Sequence, residues 1–381
     1  MPLSLMAPSD KFRRTRRIGG FCKLMDMLNC EGDVRDLVRE LVDVESVSGG
    51  EGPLADMVEQ ALNRYPHLDT TRLGNVVVAR THFSAPVRVV VAGHLDTVPV
   101  AGNLPSRLEA IDGRQALVGR GACDMKGGVA IQLSLAASLV EAKKDVTWVF
   151  YDNEEVEASK NGLGHVAASN PDMLRADMAI LMEPSNSMVE AGCQGSLRVN
   201  LRTHGVAAHA ARSWTGHNAI HDMAGALRIL NDYQAQQVLV DGLVYREGLN
   251  AVGISGGIAS NVIPDTCDMM VNYRFAPDKT LDQALTIVRE IFSGYDMEVR
   301  DAAPAAPPGL SSPLVASFVQ RMGHVGPKYG WTDVARFHQL GVPALNFGPG
   351  DPECAHTDHE LVYLDDVADC RTRLSDWLAS E

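Results

Sequence analysis

The chain has 381 residues, 45% of them hydrophobic, and a formal charge of -14 from 34 Lys+Arg against 48 Asp+Glu. That length supports a large core and more than one domain. The acidic balance argues against a nucleic-acid partner, and no run of about 20 apolar residues offers a membrane span.

Seven cysteines, an odd number with no CxxC pair, argue against a disulfide-built secreted scaffold and fit a cytoplasmic, reducing compartment. Residues 1–27 read as a disordered extension. Lys11, Arg13, Arg14, Arg16 and Arg17 form a basic run there, without the apolar stretch that a secretory signal needs. A helix is expected over 33–42, a turn at Ser48-Gly49-Gly50 and a second helix over 53–65. VRVVVAG at 87–93 is continuously apolar, as in a strand buried on both faces of a layered α/β sheet. The segment following Lys126 is apolar on more than one face and reads as a buried helix. VTWVFYD at 146–152 and MAILME at 178–183 give two further buried strands.

The pattern changes near Ser196. SLRVNLRTHG alternates, as a half-exposed strand does. A helix is expected over 217–231, strands over 251–258 and 266–275, and a helix over 281–292. This mixture suits a small two-layer α+β domain. AAPAAPPG at 302–309 reads as the linker out of it, and GVPALNFGPG at 341–350 as a strand rejoining the first sheet. The division expected is a catalytic domain over 28–195 and 308–381, with a domain over 196–307 inserted into it. No internal repeat is visible.

Chemistry-bearing side chains gather where these strands end. AGHLDTVP puts His94 and Asp96 two residues apart at a strand terminus, so one face can hold both. An imidazole suits zinc, and a carboxylate can either ligate or orient the ring. In GRGACDMKGG, Asp124 reads either as a helix N-cap or as a carboxylate bridging two metals. Glu154 and Glu155 follow a buried strand directly, a costly placement unless they are solvated, protonated or paired with cations. Glu183 is expected to end its strand. His356 lies in GPGDPECAHTDHE, with His359 three residues on as a possible second chelator. Jointly, His94, Asp124, Glu155, Glu183 and His356 are two histidines and three carboxylates, a set suited to zinc, cobalt or manganese. Cys123, Cys193 and Cys354 are read as inert rather than as nucleophiles.

These motifs resemble the M20 family of dinuclear metallohydrolases over nearly all of the chain after residue 30. The resemblance is carried by GHLDTVP, GRGACDMKGG, the NEE after a strand, MEPS and the late AH. It implies a zinc-aminopeptidase-like α/β catalytic domain with an inserted α+β, ferredoxin-like lid that makes a homodimer. It implies two divalent metal ions, zinc with cobalt as an alternative. His94 and Glu183 would hold one, Glu155 and His356 the other, and Asp124 would bridge them. Asp96 would orient His94, Glu154 would be the general base, and His209 would reach the partner's active site.

Longer runs are similar to those of actinobacterial succinyl-diaminopimelate desuccinylases within that family. They include HLDTVPVAGNLPSR, VFYDNEE, EAGCQGSLRV, NYRFAPD, KYGWTDVARF and NFGPGDP. They imply hydrolysis of N-succinyl-LL-2,6-diaminopimelate, a small acylated amino acid, in lysine and cell-wall precursor synthesis. Arg274 then becomes a candidate for binding a substrate carboxylate, Asn261 for binding substrate or the oxyanion, and Ser196, Gly330 and Thr332 for lining the pocket. Tyr329 to Asp333 and Cys193-Gln194 depart from the proteobacterial pattern, so the substrate contacts carry over less directly than the metal set. The alternatives are acetylornithine deacetylase, another M20 aminoacylase or dipeptidase, and a catalytically idle metal-binding regulatory dimer.

Overall fold

The computed structural model describes residues 27–380; the extension expected at 1–27 lies outside them except for Met27. The largest sheet has eight strands. In spatial order they are Asp69–Leu73, Val76–Arg80, Asp145–Tyr151, Arg88–His94, Met178–Leu181, Ala344–Asn346, Val189–Ala191 and Val325–Pro327. The strand Arg88–His94 lies in its interior and pairs in parallel with both neighbours. Asp145–Tyr151 is buried at every position, because apolar clusters cover both faces of the sheet.

Helix Gly127–Ser138 is buried from Gly127 through Ala137 and packs against the helices Val34–Val42 and Leu364–Ala379. Its apolarity on all faces follows from that sandwiched position. Gln132 and Ser134 are the buried polar side chains in it: Gln132 Nε2 donates to the strand carbonyls of Val91 at 2.9 Å and Val149 at 3.3 Å, and Ser134 Oγ accepts from Arg371 at 2.7 Å. A Cβ at Gly128 would lie 2.3 Å from the Met182 carbonyl, so glycine lets this helix close on the backbone just before Glu183. Nearby, Phe318 meets Trp377 and Phe347 edge-on at 4.8 and 5.4 Å. Truncating such a ring to alanine costs about 3–5 kcal/mol.

Four antiparallel strands form a separate sheet with its own core: Gly248–Gly256, Thr266–Phe275, Gly195–His204 and Asp296–Ala303, in that order. Thr266–Phe275 alternates strictly, with Cys267, Met269, Val271, Tyr273 and Phe275 buried against helices on one face. Helix Leu281–Ile291 starts on a capping box between Thr280 and Gln283. The succession strand, helix, two strands, helix, strand is the ferredoxin-like arrangement.

Several element expectations need correction. The 217–231 helix is two pieces, Ala219–Asp222 and Ala224–Asp232, interrupted at Met223. The fourth strand, Asp296–Ala303, takes in two residues of the expected linker. The hairpin of Gln237–Val240 and Leu243–Arg246 was not foreseen, nor was a three-stranded sheet of Leu361–Tyr363, Arg114–Val118 and Arg107–Ile111. The strand Met178–Leu181 stops before Glu183, which lies in the loop beyond rather than on the strand. No helix among the described residues is long and apolar enough to cross a membrane.

Candidate metal centre

The ends of the central strands and the loops beyond them converge. His94 closes its strand and is buried; its Nδ1 lies 3.0 Å from the Asp96 carbonyl and 3.5 Å from Asp96 Oδ1. A proton held on Nδ1 in this way leaves Nε2 free to ligate. Asp96 also organises the two glutamates. Its Oδ1 accepts the Glu154 N–H at 3.0 Å, and its Oδ2 accepts the Glu155 N–H at 3.0 Å and the Ser48 hydroxyl at 2.8 Å. Glu51, fully buried, accepts the N–H of Asn153, which holds a left-handed φ of 57°. The turn after Tyr151 is therefore held from below by two carboxylates.

Asp124 lies in the turn Ala122–Lys126, and its peptide bond to Met125 is cis. It does not cap the following helix, whose N-cap is Lys126. Its Oδ1 lies 3.1 Å from His94 Nε2, and its Oδ2 lies 3.3 Å from His356 Nε2. One carboxylate thus presents a separate oxygen to each histidine. His356 Nε2 is also 2.8 Å from Glu155 Oε1, and its backbone takes a left-handed φ of 63°. Glu183 Oε1 is buried without a hydrogen-bond partner.

Two ligand triples result, His94-Asp124-Glu183 and Asp124-Glu155-His356, with Asp124 common to both. Within each triple the donor atoms lie within 4.8 Å of one another. A third grouping, His94-Glu154-Glu155, places the Glu154 carboxylate at the same centre. His359 is in none of them, so the possible His356-His359 chelate does not form among the described residues. No cysteine is in them either, and burial pushes the Cys193 thiol up to about 11 and the Cys123 thiol well above its usual range. Both thiols are therefore protonated and inert at neutral pH.

The electrostatics call for cations. Burial and the neighbouring Asp124 push the Glu183 carboxyl up to about 8. Burial, with Glu183, Asp333 and Glu155 nearby, raises Glu154 well above the usual carboxylate range against the opposing pull of His94. Burial alone would raise Asp124, but its hydrogen bonds to His356 and His94 hold it low. Hydrogen bonds to Asp124 and Glu155 carry His356 up to about 10. Clustered carboxylates, a buried oxygen without a donor and two convergent imidazoles fit a pair of divalent metal ions.

The remaining residues singled out from sequence lie apart from these triples. His209 is exposed, and its Nδ1 accepts the Ala211 N–H at 3.0 Å. Asn261 is its neighbour across a short ribbon; the Asn261 carbonyl accepts the Ala210 N–H at 2.8 Å. Arg274 lies on the open face of the four-stranded sheet, opposite Ser196 in the register. Ser196 is buried, with Oγ 3.2 Å from Asn272 Nδ2. Thr332 is buried with an unpartnered hydroxyl, whereas Gly330 is exposed. Arg202, on the same open face, is tied to Asp268 at 2.8 Å.

Sequence reasoning overlooked Lys328. Its buried ammonium donates to Glu190 at 2.6 Å and to the Pro184 carbonyl at 3.3 Å, which sets a cation beside Glu183. Nothing in the sequence near 328 signals this, because the partners are more than 130 positions away.

Residues 90–380 match the model of peptidase family M20/M25/M40. The chain belongs to that family. As an M20 protein it is similar to a Corynebacterium glutamicum succinyl-diaminopimelate desuccinylase, 43% identical over 364 residues, covering 92% of this chain and 98% of the relative. A Mycobacterium tuberculosis protein, provisionally named a succinyl-diaminopimelate desuccinylase, is 50% identical over 345 residues, covering 90% of this chain and 96% of its own. Two solved M20 structures share the fold. The Sulfolobus solfataricus metallo-carboxypeptidase Sso-CP2 has a TM-score of 0.72 at 16% identity, covering 91% of this chain and 99% of its own. The Bacillus subtilis protein YXEP, described as a dinuclear metal-binding peptidase, has a TM-score of 0.65 at 15% identity, covering 91% and 96%.

Proposed function

We propose that this M20 enzyme hydrolyses N-succinyl-LL-2,6-diaminopimelate to succinate and LL-2,6-diaminopimelate. The observation that carries the chemistry is Asp124, which offers one oxygen to each of two histidines at 3.1 and 3.3 Å. The names of the two relatives above support the substrate.

His94 and Glu183 would hold one metal, Glu155 and His356 the other, and Asp124 both. The two-nitrogen, three-carboxylate donor set favours zinc, with cobalt as an alternative. Divalent ions bound there supply Lewis acidity, which activates water and polarises the amide carbonyl. Glu154 is the general base. Its main chain is fixed by Asp96, and burial biases its carboxyl toward accepting and keeping a proton. It takes a proton from the attacking water and returns it to the departing amine as the C–N bond breaks. Asp96 keeps the His94 ring in place. Arg274, with Ser196 across the strand pair, offers a guanidinium to a substrate carboxylate, and Asn261, Gly330 and Thr332 complete the pocket. His209 acts in the partner's site of a homodimer built through the four-stranded domain, which would be the lid over 196–307. The reaction belongs to the cytoplasm.

Amine release from N-succinyl-LL-diaminopimelate and from N-acetylornithine, measured side by side on zinc-loaded protein, tests this reading. Faster turnover of the succinyl compound is the expected result. Faster turnover of the acetyl compound overturns the substrate, and metal binding without turnover of either points to the idle regulatory dimer.

A further inference from the structure

The loops that carry the site meet at a buried ion pair that takes no part in the proposed chemistry. Arg120 and Glu360 are 3% and 1% exposed, and Arg120 Nη1 lies 2.8 Å from Glu360 Oε2. Glu360 Oε1 accepts two consecutive backbone N–H groups, from Cys123 at 3.1 Å and Asp124 at 3.0 Å. Arg120 donates through Nη1 to the Thr357 carbonyl at 3.2 Å and through Nε to the Pro99 carbonyl at 3.0 Å. Its own N–H reaches the Asn103 carbonyl, and the Glu360 carbonyl accepts the Gly119 N–H at 2.9 Å. One pair of side chains therefore fixes the main chain at Asp124, beside His356, and three residues beyond Asp96.

The pair is anchored in turn by a sheet. Leu361 pairs with Val118, so Glu360 and the Gly119-Arg120 segment leave adjacent strand ends together. Stability alone gives little reason to bury such a pair, since apolar residues of similar volume often do as well. Ligand spacing gives a better one. Asp124 Oδ2 and His356 Nε2 stand 3.3 Å apart on two loops separated by more than 230 positions in sequence. The His356 side chain is 51% exposed, whereas the His94 side chain is 1% exposed and rests on a sheet strand. The ligand on the exposed loop depends most on an external brace.

We propose that Arg120 and Glu360 are positioning residues that set the distance between Asp124 and His356, and so the affinity of the metal held by Asp124, Glu155 and His356. The inference rests on the two-metal reading above. The other metal, held by His94 and Glu183 with Asp124, depends on the pair less, because the sheet itself carries His94.

The test is a zinc titration of metal-stripped protein in competition with a chromophoric chelator, on the wild type and the variants Glu360→Gln and Arg120→Lys. Glu247→Gln is the control. Glu247 is an equally buried carboxylate of the lid, bonded to Tyr273, Ala276 and Lys279. The expected result is that each clasp variant weakens one of two zinc equivalents by about 10–100-fold and the other by less than about 3-fold, while the control moves neither beyond about 3-fold although its thermal midpoint falls. Unchanged affinity for both equivalents in folded clasp variants would reduce the pair to a structural role and overturn the proposal. Equal weakening of both equivalents would overturn its selectivity. A wild-type chain that binds fewer than two zinc ions would overturn the two-metal reading itself. If Glu360→Gln does not fold, Arg120→Lys, which keeps the charge and loses the guanidinium fork, decides alone.

Discussion

The metal centre and the lid differ in how much of their chemistry one chain completes. At the centre the ligand loops are tied together within the chain: Asp96 binds the backbone of Glu154 and Glu155 and the hydroxyl of Ser48, and Asp124 meets both histidines. On the lid, His209 and Asn261 are exposed, the first accepting from the Ala211 N–H and the second, through its carbonyl, from the Ala210 N–H. Burial lowers the Arg274 pKa, as does the nearby Arg198, and its guanidinium makes no ion pair with another described residue. The metal-ligating side chains are thus held in place within the chain, whereas in the reading proposed above recognition waits for substrate and a second copy.

The largest effect is expected at Glu154. Glu154→Gln should lower kcat by about 10³-fold with zinc content unchanged, read by kinetics and elemental analysis together. Loss of a metal instead would make Glu154 a ligand, as the His94-Glu154-Glu155 grouping allows. The lid comes next. His209→Asn should cost about 10²-fold in kcat. A heterodimer of Glu154→Gln and His209→Asn chains should regain one working site of its two, whereas a His209 that acts within its own chain would leave the mixture inactive. Arg274→Met should raise KM for the succinyl substrate by about 10–100-fold with a smaller effect on kcat.

A gentler test is pH on metal-stripped protein. His356 is carried from 6.5 up to about 10 by Asp124 and Glu155, and Glu183 from 4.5 up to about 8 by burial. In those windows the folded chain holds protons that the unfolded chain has released, so stability falls as pH rises. Metal ions replace those protons. The rise in melting temperature on adding zinc should therefore grow from about pH 6 to about pH 9. A zinc-induced rise that shrinks over that range would contradict the ligand set. The smallest effect is Thr280→Ala, which removes the lid helix cap. It should cost about 1 kcal/mol in denaturant unfolding and leave turnover unchanged.

What the sequence disclosed follows from the range of each signal. Continuous apolar runs gave the buried strands, and ligand-type residues at or beyond their ends gave His94, Glu155 and Glu183 as candidates; Asp124 came from a glycine-rich turn before a helix and His356 from a late loop. The edge strand Asp296–Ala303 escaped because its sequence, DMEVRDAA, is polar and its burial weak. The break at Met223 has no proline to announce it, and Gly225 lies just beyond it, inside the second piece. Ser48 was legible only as a turn, and Arg120, Glu360 and Lys328 only as charged residues, because their roles come from contacts 48 to 240 positions away. Burial of a charge by tertiary contact leaves no local trace in sequence.

In the function proposed above, two metal ions on this cluster drive amide hydrolysis. The most direct test is to strip the protein with a chelator and add zinc back stepwise, following succinate release from N-succinyl-LL-diaminopimelate. Negligible activity is expected in the stripped protein, with recovery complete at two equivalents per chain. Full activity after stripping, or recovery indifferent to zinc, would contradict the two-metal reading.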